Sequence, residues 1–156
     1  MSERLSKNFQ SSEMRCPCCG RVKVDEKLVQ GLQKLRDKTD RPIIVTSGYR
    51  CKEHNRAVGG SENSLHLTGQ AADITCPGMT LLRLYFEAIG VPEFADGGCG
   101  LYPQNNFIHV DTRGKRARWG RLDGRYCTIH LALDALRKKR KDDTIPDSSS
   151  SRSPGS

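Results

Sequence analysis

Two short segments, far apart in the chain, alternate in the manner of β-strands while carrying side chains that bind divalent metals. The first is Ser64-Leu65-His66-Leu67-Thr68-Gly69-Gln70-Ala71-Ala72-Asp73. Residues Gln70 to Thr75 read as a strand. Ala71, Asp73 and Thr75 share one face, while Ala72 and Ile74 share the other and pack inward. Gly69 permits a bend that other residues resist, so His66 can return towards Asp73. The second segment is Phe107-Ile108-His109-Val110-Asp111. Phe107, His109 and Asp111 lie on one face, Ile108 and Val110 on the other. His66, Asp73 and His109 together make two imidazoles and one carboxylate. That donor set suits one tetrahedral zinc ion with an open position for water, the arrangement of catalytic rather than structural zinc.

The intervening pattern supplies the scaffold. Asp25 can cap a helix running to about Lys38, with Leu28, Leu32 and Leu35 on one stripe. Pro42 marks its exit, and the β-branched run Ile43-Ile44-Val45-Thr46 reads as a buried strand. It delivers Ser47-Gly48-Tyr49-Arg50 to a loop. Thr80 can cap a helix through Ile89, and Gly90 stops it. Residues 91–98 read as a loop, Gly98 to Tyr102 as a strand, and Phe107 to Thr112 as its hairpin partner. Residues 113–127 are rich in arginine and glycine. Their single Trp119 can contact a ligand or cap the core. A last helix starts at Thr128, with Ile129, Leu133 and Leu136 on its inner stripe. His54 lies in a polar turn and reads as a structural hydrogen-bonding residue.

The pattern Ser-x-His-x-x-Gly-x-Ala-x-Asp, followed by Phe-Ile-His-Val-Asp, resembles the M15 zinc D-Ala-D-Ala peptidases. The similar branch is the short one of murein peptidases and phage-encoded relatives. Ser47-Gly48-Tyr49-Arg50, His54-Asn55, Val58-Gly59-Gly60 and Gly100-Leu101-Tyr102-Pro103 extend the match, which runs from about Phe9 to Trp119. The resemblance implies the α+β fold shared with the hedgehog signalling domain: a small, mainly antiparallel sheet with packed helices. It also implies one zinc ion on His66, Asp73 and His109, and a peptidoglycan stem peptide containing D-amino acids as substrate. Arg50, Ser64 and Tyr102 are the expected substrate contacts, and Arg50 the expected partner of a developing oxyanion. Some family members carry a glutamate general base three residues before the last histidine ligand. Here that position is Asn106, which cannot serve. Asp111 is then the expected base, with orientation of a ligand histidine as its rival role.

Length and charge bound these readings. A chain of 156 residues suits one domain. The expected division is a lead-in over 1–15, a zinc peptidase domain over 16–141 and a disordered tail over 142–156. No apolar run approaches the roughly 18 residues of a membrane span. The polar first fifteen residues lack a secretory core. Synthesis in the cytoplasm is therefore expected, with delivery to the wall by other means, as in phage lysis. The net charge of +8 fits a polyanionic partner, and a wall rich in carboxylates and phosphates fits as well as nucleic acid. Nucleic acid is the less favoured partner, and a monomer is expected.

There are seven cysteines. An odd number argues against a complete disulfide framework. Cys16, Cys18 and Cys19 invite a zinc-knuckle reading, but their spacing is incomplete. Free or paired cysteines lying near Cys51, apart from the catalytic centre, are expected instead. The favoured function is zinc-dependent hydrolysis of stem peptides, as carboxypeptidase or endopeptidase. The alternative is a catalytically silent wall-binding or structural module.

Overall fold

The computed structural model describes residues 2–139. The expected disordered tail, 142–156, lies outside them, as does the end of the basic run 137–141. Six strands form one sheet: β1 (Ile44–Ser47), β2 (Ala71–Thr75), β3 (Gly98–Tyr102), β4 (Phe107–Asp111), β5 (Ala117–Leu122) and β6 (Arg125–Cys127). Their order across the sheet is β1-β2-β4-β3-β5-β6. All neighbours are antiparallel except β3 and β5, which run parallel. The helices are α1 (Glu26–Thr39), α2 (Lys52–Ala57), α3 (Leu81–Ile89) and α4 (Pro92–Ala95). A further helix, α5, covers 129–139. This is the α+β architecture expected. No helix among the described residues is long and apolar enough to cross a membrane.

One face of the sheet is the core. Ala72 and Ile74 of β2, Ile108 and Val110 of β4, and Cys99 and Leu101 of β3 meet Leu28, Leu32 and Leu35 of α1 and Leu84, Tyr85 and Ala88 of α3. Ala132 and Leu133 of α5 close the same cluster. Fully burying one such leucine is worth about 1.5–3 kcal/mol. The lead-in is part of this core, since Phe9 and Met14 are buried within it.

Several local details depart from expectation. Asp25 precedes α1 without capping it by its side chain; its carboxylate accepts from Thr112 Oγ1 at 3.0 Å instead. β1 is an edge strand with Ile44 exposed, not a buried one. Residues 92–95, expected in a loop, form α4 with a proline at its start, where the missing N–H costs nothing. Residues 113–127 supply β5 and β6, which the arginine-rich composition had concealed.

Candidate active site

The other face of the sheet is open, and strand register builds the site on it. Ser47 of β1 pairs with Asp73 of β2. Asp73 pairs with His109 of β4, His109 with Gly100 of β3, and Gly100 with Trp119 of β5. Five strands thus contribute one continuous row, and a one-residue slip would turn its members into the core. Gly100 matters because a Cβ there would stand 2.5 Å from the Trp119 indole nitrogen. Without it, the Trp119 ring leans over to 5.1 Å from the His109 ring.

His66 enters from a 3₁₀ turn, Leu65–Thr68, that Ser64 caps by accepting from the His66 N–H at 3.2 Å. Gly69 ends that turn at φ 75°, and a Cβ there would come within 2.4 Å of the Lys23 carbonyl oxygen. The expected bend is therefore real, and only glycine satisfies it at this spacing.

The three expected ligands converge. His66 Nε2 and His109 Nδ1 each lie 3.2 Å from Asp73 Oδ1. All three residues are buried. The outer nitrogen of each ring is already committed. His66 Nδ1 donates to the Gly48 carbonyl at 2.7 Å, and His109 Nε2 donates to Asp111 Oδ2 at 2.7 Å. With those tautomers, both inner nitrogens are bare acceptors facing a carboxylate oxygen. Three acceptors without a donor between them call for a cation. A divalent metal taking nitrogen and oxygen ligands fits this donor set.

Two carboxylates flank the His109 ring, and their surroundings differ. Burial raises the pKa of Asp73, but its setting between the His109 and His66 rings brings it below the usual carboxylate range, so the group is ionised. Arg50 adds an ion pair to Asp73 Oδ2 at 3.0 Å. Arg50 is itself fixed by Ser47 Oγ at 3.0 Å and Asn55 Oδ1 at 3.2 Å. Asp111 is fully buried. Burial raises it too, while His109 and Arg113 together bring it well below the usual carboxylate range. Its Oδ1 accepts from the Gly98 N–H at 2.8 Å and from Arg113 Nε at 2.9 Å. Its Oδ2 accepts from His109 and from Arg113 Nη2 at 2.7 Å. Asp111 thus stands at the far edge of His109, away from Asp73, with both oxygens engaged. That placement matches orientation of the ring and leaves no lone pair facing the cleft for proton capture.

A cleft of about 1110 Å³ opens over the row. One wall comes from the 58–66 segment, and the other carries Tyr102, Arg113, Trp119, Arg121 and Tyr126. Trp119 Nε1 donates to the Tyr102 hydroxyl at 3.2 Å. Burial, outweighing that bond, pushes Tyr102 up to about 12, so it stays a phenol. Asp73 is the one carboxylate among the described lining residues. His54, read from sequence as merely structural, also lines the cleft. Asn106 lies in an exposed turn at φ 57° and does not line it.

A family model for peptidase M15 matches residues 7–111, the span that contains all three converging ligands. The chain belongs to the peptidase M15 family. Among curated proteins, it is 33% identical over 103 residues to the peptidoglycan L,D-endopeptidase MepK of Escherichia coli K12. That alignment covers 62% of this chain and 54% of that protein. It is 37% identical over 75 residues to the probable peptidoglycan L,D-endopeptidase MepK of Haemophilus influenzae, covering 45% and 39% respectively. The chain thus spans about half the length of the E. coli relative. Arg113, Trp119, Arg121 and Tyr126 lie beyond the matched family span, so most of that wall of the cleft, though not Tyr102, is drawn from outside it.

Proposed function

We propose that this chain is a zinc-dependent peptidase that cleaves an amide bond in a peptidoglycan stem peptide. The carrying observation is the convergence of His66, Asp73 and His109 as three buried acceptors in an open cleft. Zinc held there would supply Lewis acidity towards the peptide carbonyl and towards water. The residues of the chain do the remaining work. Asp111 holds His109 in the tautomer that presents Nδ1, and the Gly48 carbonyl does the same for His66. Arg50, secured to Asp73, places a guanidinium in the cleft wall for a substrate carbonyl or carboxylate. Tyr102 can donate from the opposite wall, while Ser64 chiefly caps the His66 turn. His54 is the one imidazole among the described cleft-lining residues that is not a proposed ligand, and we nominate it as proton acceptor.

Substrate class follows from the cleft and from the relatives. Arg113, Lys115 and Arg121 line it together with Tyr102, Phe107 and Trp119, which suits an anionic peptide. Lining residues on both sides of the ligand row leave room for chain before and after the scissile bond. Together with the names of the relatives, this supports an endopeptidase acting at the cell wall over a D-Ala-D-Ala carboxypeptidase. Digestion of purified peptidoglycan, followed by mass analysis of the muropeptides, tests this reading. New internal amines that disappear with chelator are expected. Free D-Ala as the sole product would restore the carboxypeptidase. Binding without cleavage would favour the silent module, which the absence of a free carboxylate among the described lining residues also suits.

A further inference from the structure

We propose a second zinc site, structural rather than catalytic, formed by Cys16, Cys19 and Cys51 and closed by Cys18. It joins the N-terminal segment to the loop that carries Arg50. The sulfur atoms of Cys16, Cys19 and Cys51 all lie within 4.8 Å of one another. Cys16 and Cys51 Sγ stand 3.7 Å apart. A tetrahedron with Zn–S bonds of about 2.3 Å requires sulfurs about 3.8 Å apart, whereas a disulfide requires about 2.05 Å. The observed spacing fits two ligands to one ion and not a disulfide.

The backbone around the sulfurs has the form of a metal knuckle. Cys16-Pro17-Cys18-Cys19-Gly20 folds back on itself, with the Gly20 N–H donating to the Cys16 carbonyl at 2.8 Å and the Cys16 N–H to the Arg21 carbonyl at 2.9 Å. Gly20 takes φ 75°, as the reversal demands. Amides also point at the sulfurs. The Cys51 N–H donates to Cys16 Sγ and the His54 N–H to Cys51 Sγ, each at 3.4 Å. Arg21 Nε reaches Cys19 Sγ at 3.5 Å, which brings a cation to a group of anionic ligands. Neutral thiols are weak acceptors, and donors gathered on them favour thiolates. Burial pushes the Cys16 thiol up, but the amides of Cys51, Cys19 and Cys18 bring it down to about 7. The His54 amide lowers Cys51, while burial and the Cys16, Cys18 and Cys19 thiols raise it to about 11.

The fourth ligand has two candidates. His54 follows Cys51 at the Cys-x-x-His spacing of zinc sites, but it lines the catalytic cleft. Cys18 is exposed and adjoins Cys19 in the same turn, so its side chain is free to swing onto an ion held by the other three. Cys16 and Cys51 are buried together with Tyr49 in a small cluster separate from the main core. A metal here would fasten a segment that the main core does not reach. That segment ends at Arg50, whose side chain holds Asp73.

Zinc content of the purified full-length chain, by native mass spectrometry and elemental analysis, tests the proposal independently of peptidase activity. Two zinc ions per chain are expected in the wild type. One is expected in a His66→Ala/His109→Ala variant and one in a Cys16→Ser/Cys51→Ser variant. Cobalt substitution should give an intense thiolate-to-metal charge-transfer band in the wild type and in the histidine variant. That spectrum needs no cysteine substitution, so it holds the test open should the cysteine variant fail to fold. A single zinc that the histidine variant loses, with no such cobalt band, would overturn the second site. So would an intact mass two protons lower, marking a Cys16–Cys51 disulfide. Cys18→Ser should release the cysteine-bound zinc more readily and His54→Ala should not; the reverse result would overturn Cys18 as fourth ligand.

Discussion

The two halves of the open sheet face differ in how they hold polar groups. Across β1, β2 and β4, the Ser47–Asp73–His109 row carries buried ionisable groups whose outward-facing atoms each have a partner, including Arg50 against Asp73 and Asp111 against His109. Across β3, β5 and β6, the wall is aromatic and arginine-rich and partly exposed. Arg113 lies over Trp119 and Arg121 over Tyr126. The first half is built like a metal centre, where each ligand needs one orientation and a partner to enforce it. The second is built like a recognition surface, where rings and cations offer area and charge without a single fixed pose. Substitutions should therefore separate the two: losses in metal or turnover on the first half, losses in substrate affinity on the second.

The largest effect belongs to the ligands. His66→Ala or Asp73→Ala should abolish both zinc at this centre and turnover, read by elemental analysis and muropeptide release. Asp73→Ala should also free Arg50 from its 3.0 Å partner, leaving a half-buried cation uncompensated. Retained turnover in either variant would remove the metal centre from the mechanism. His54→Gln comes next. As proton acceptor, its loss should lower kcat by roughly 10²–10⁴-fold at unchanged zinc content. Unchanged kcat would return His54 to the role its polar turn first indicated.

Asp111→Asn tests how the inner half is tuned. Loss of the anion beside His109 should weaken zinc by roughly 10–100-fold, with activity recovering as zinc is added. A turnover defect that persists at saturating zinc would favour the base role that the sequence suggested.

Why the sequence suggested that role shows where legibility ends. Alternation in Phe107–Asp111 places His109 and Asp111 on one face, and they are so placed. Alternation does not say on which side of an imidazole a neighbour two residues away will stand. That depends on Gly98 and Arg113, which reach Asp111 from β3 and from the following loop. The strands β2 and β4 were readable because apolar residues alternate there with polar ones, and β3 was readable as the hairpin partner of β4. β5 was not, because Arg118 and Arg121 read as solvated charge. In the fold, Arg118 Nη1 instead donates to the Gly97 carbonyl at 2.8 Å, and the parallel pairing to β3 crosses over a hairpin. The nearness of Cys16 to Cys51 was expected from the packing of the lead-in; the geometry of their sulfurs was not readable from spacing. That His54 lines the cleft was unreadable for a similar reason. A polar helical turn looks solvated in sequence, while tertiary contact turns it to the cleft.

The smallest effects should come from the outer half, and they decide whether it is a recognition surface at all. Trp119→Ala removes a ring tilted against His109 and lying under Arg113, while the proposed ligands and their hydrogen-bond partners keep their own side chains. If the ring packs against substrate, the loss should be about 0.5–1.5 kcal/mol, or roughly 2–10-fold in KM, with kcat and zinc content unchanged. Gly100→Ala should produce the same signature by another route. Its new Cβ would stand 2.5 Å from the Trp119 indole nitrogen, and the ring, lying on a half-exposed strand, must swing away from His109. A double variant should then be no worse than Trp119→Ala alone, because both act through one ring. Additive losses would mean that Gly100 matters to the register of β3 against β4, and so to His109. In that case the boundary between the two halves would lie beyond β3 rather than at it.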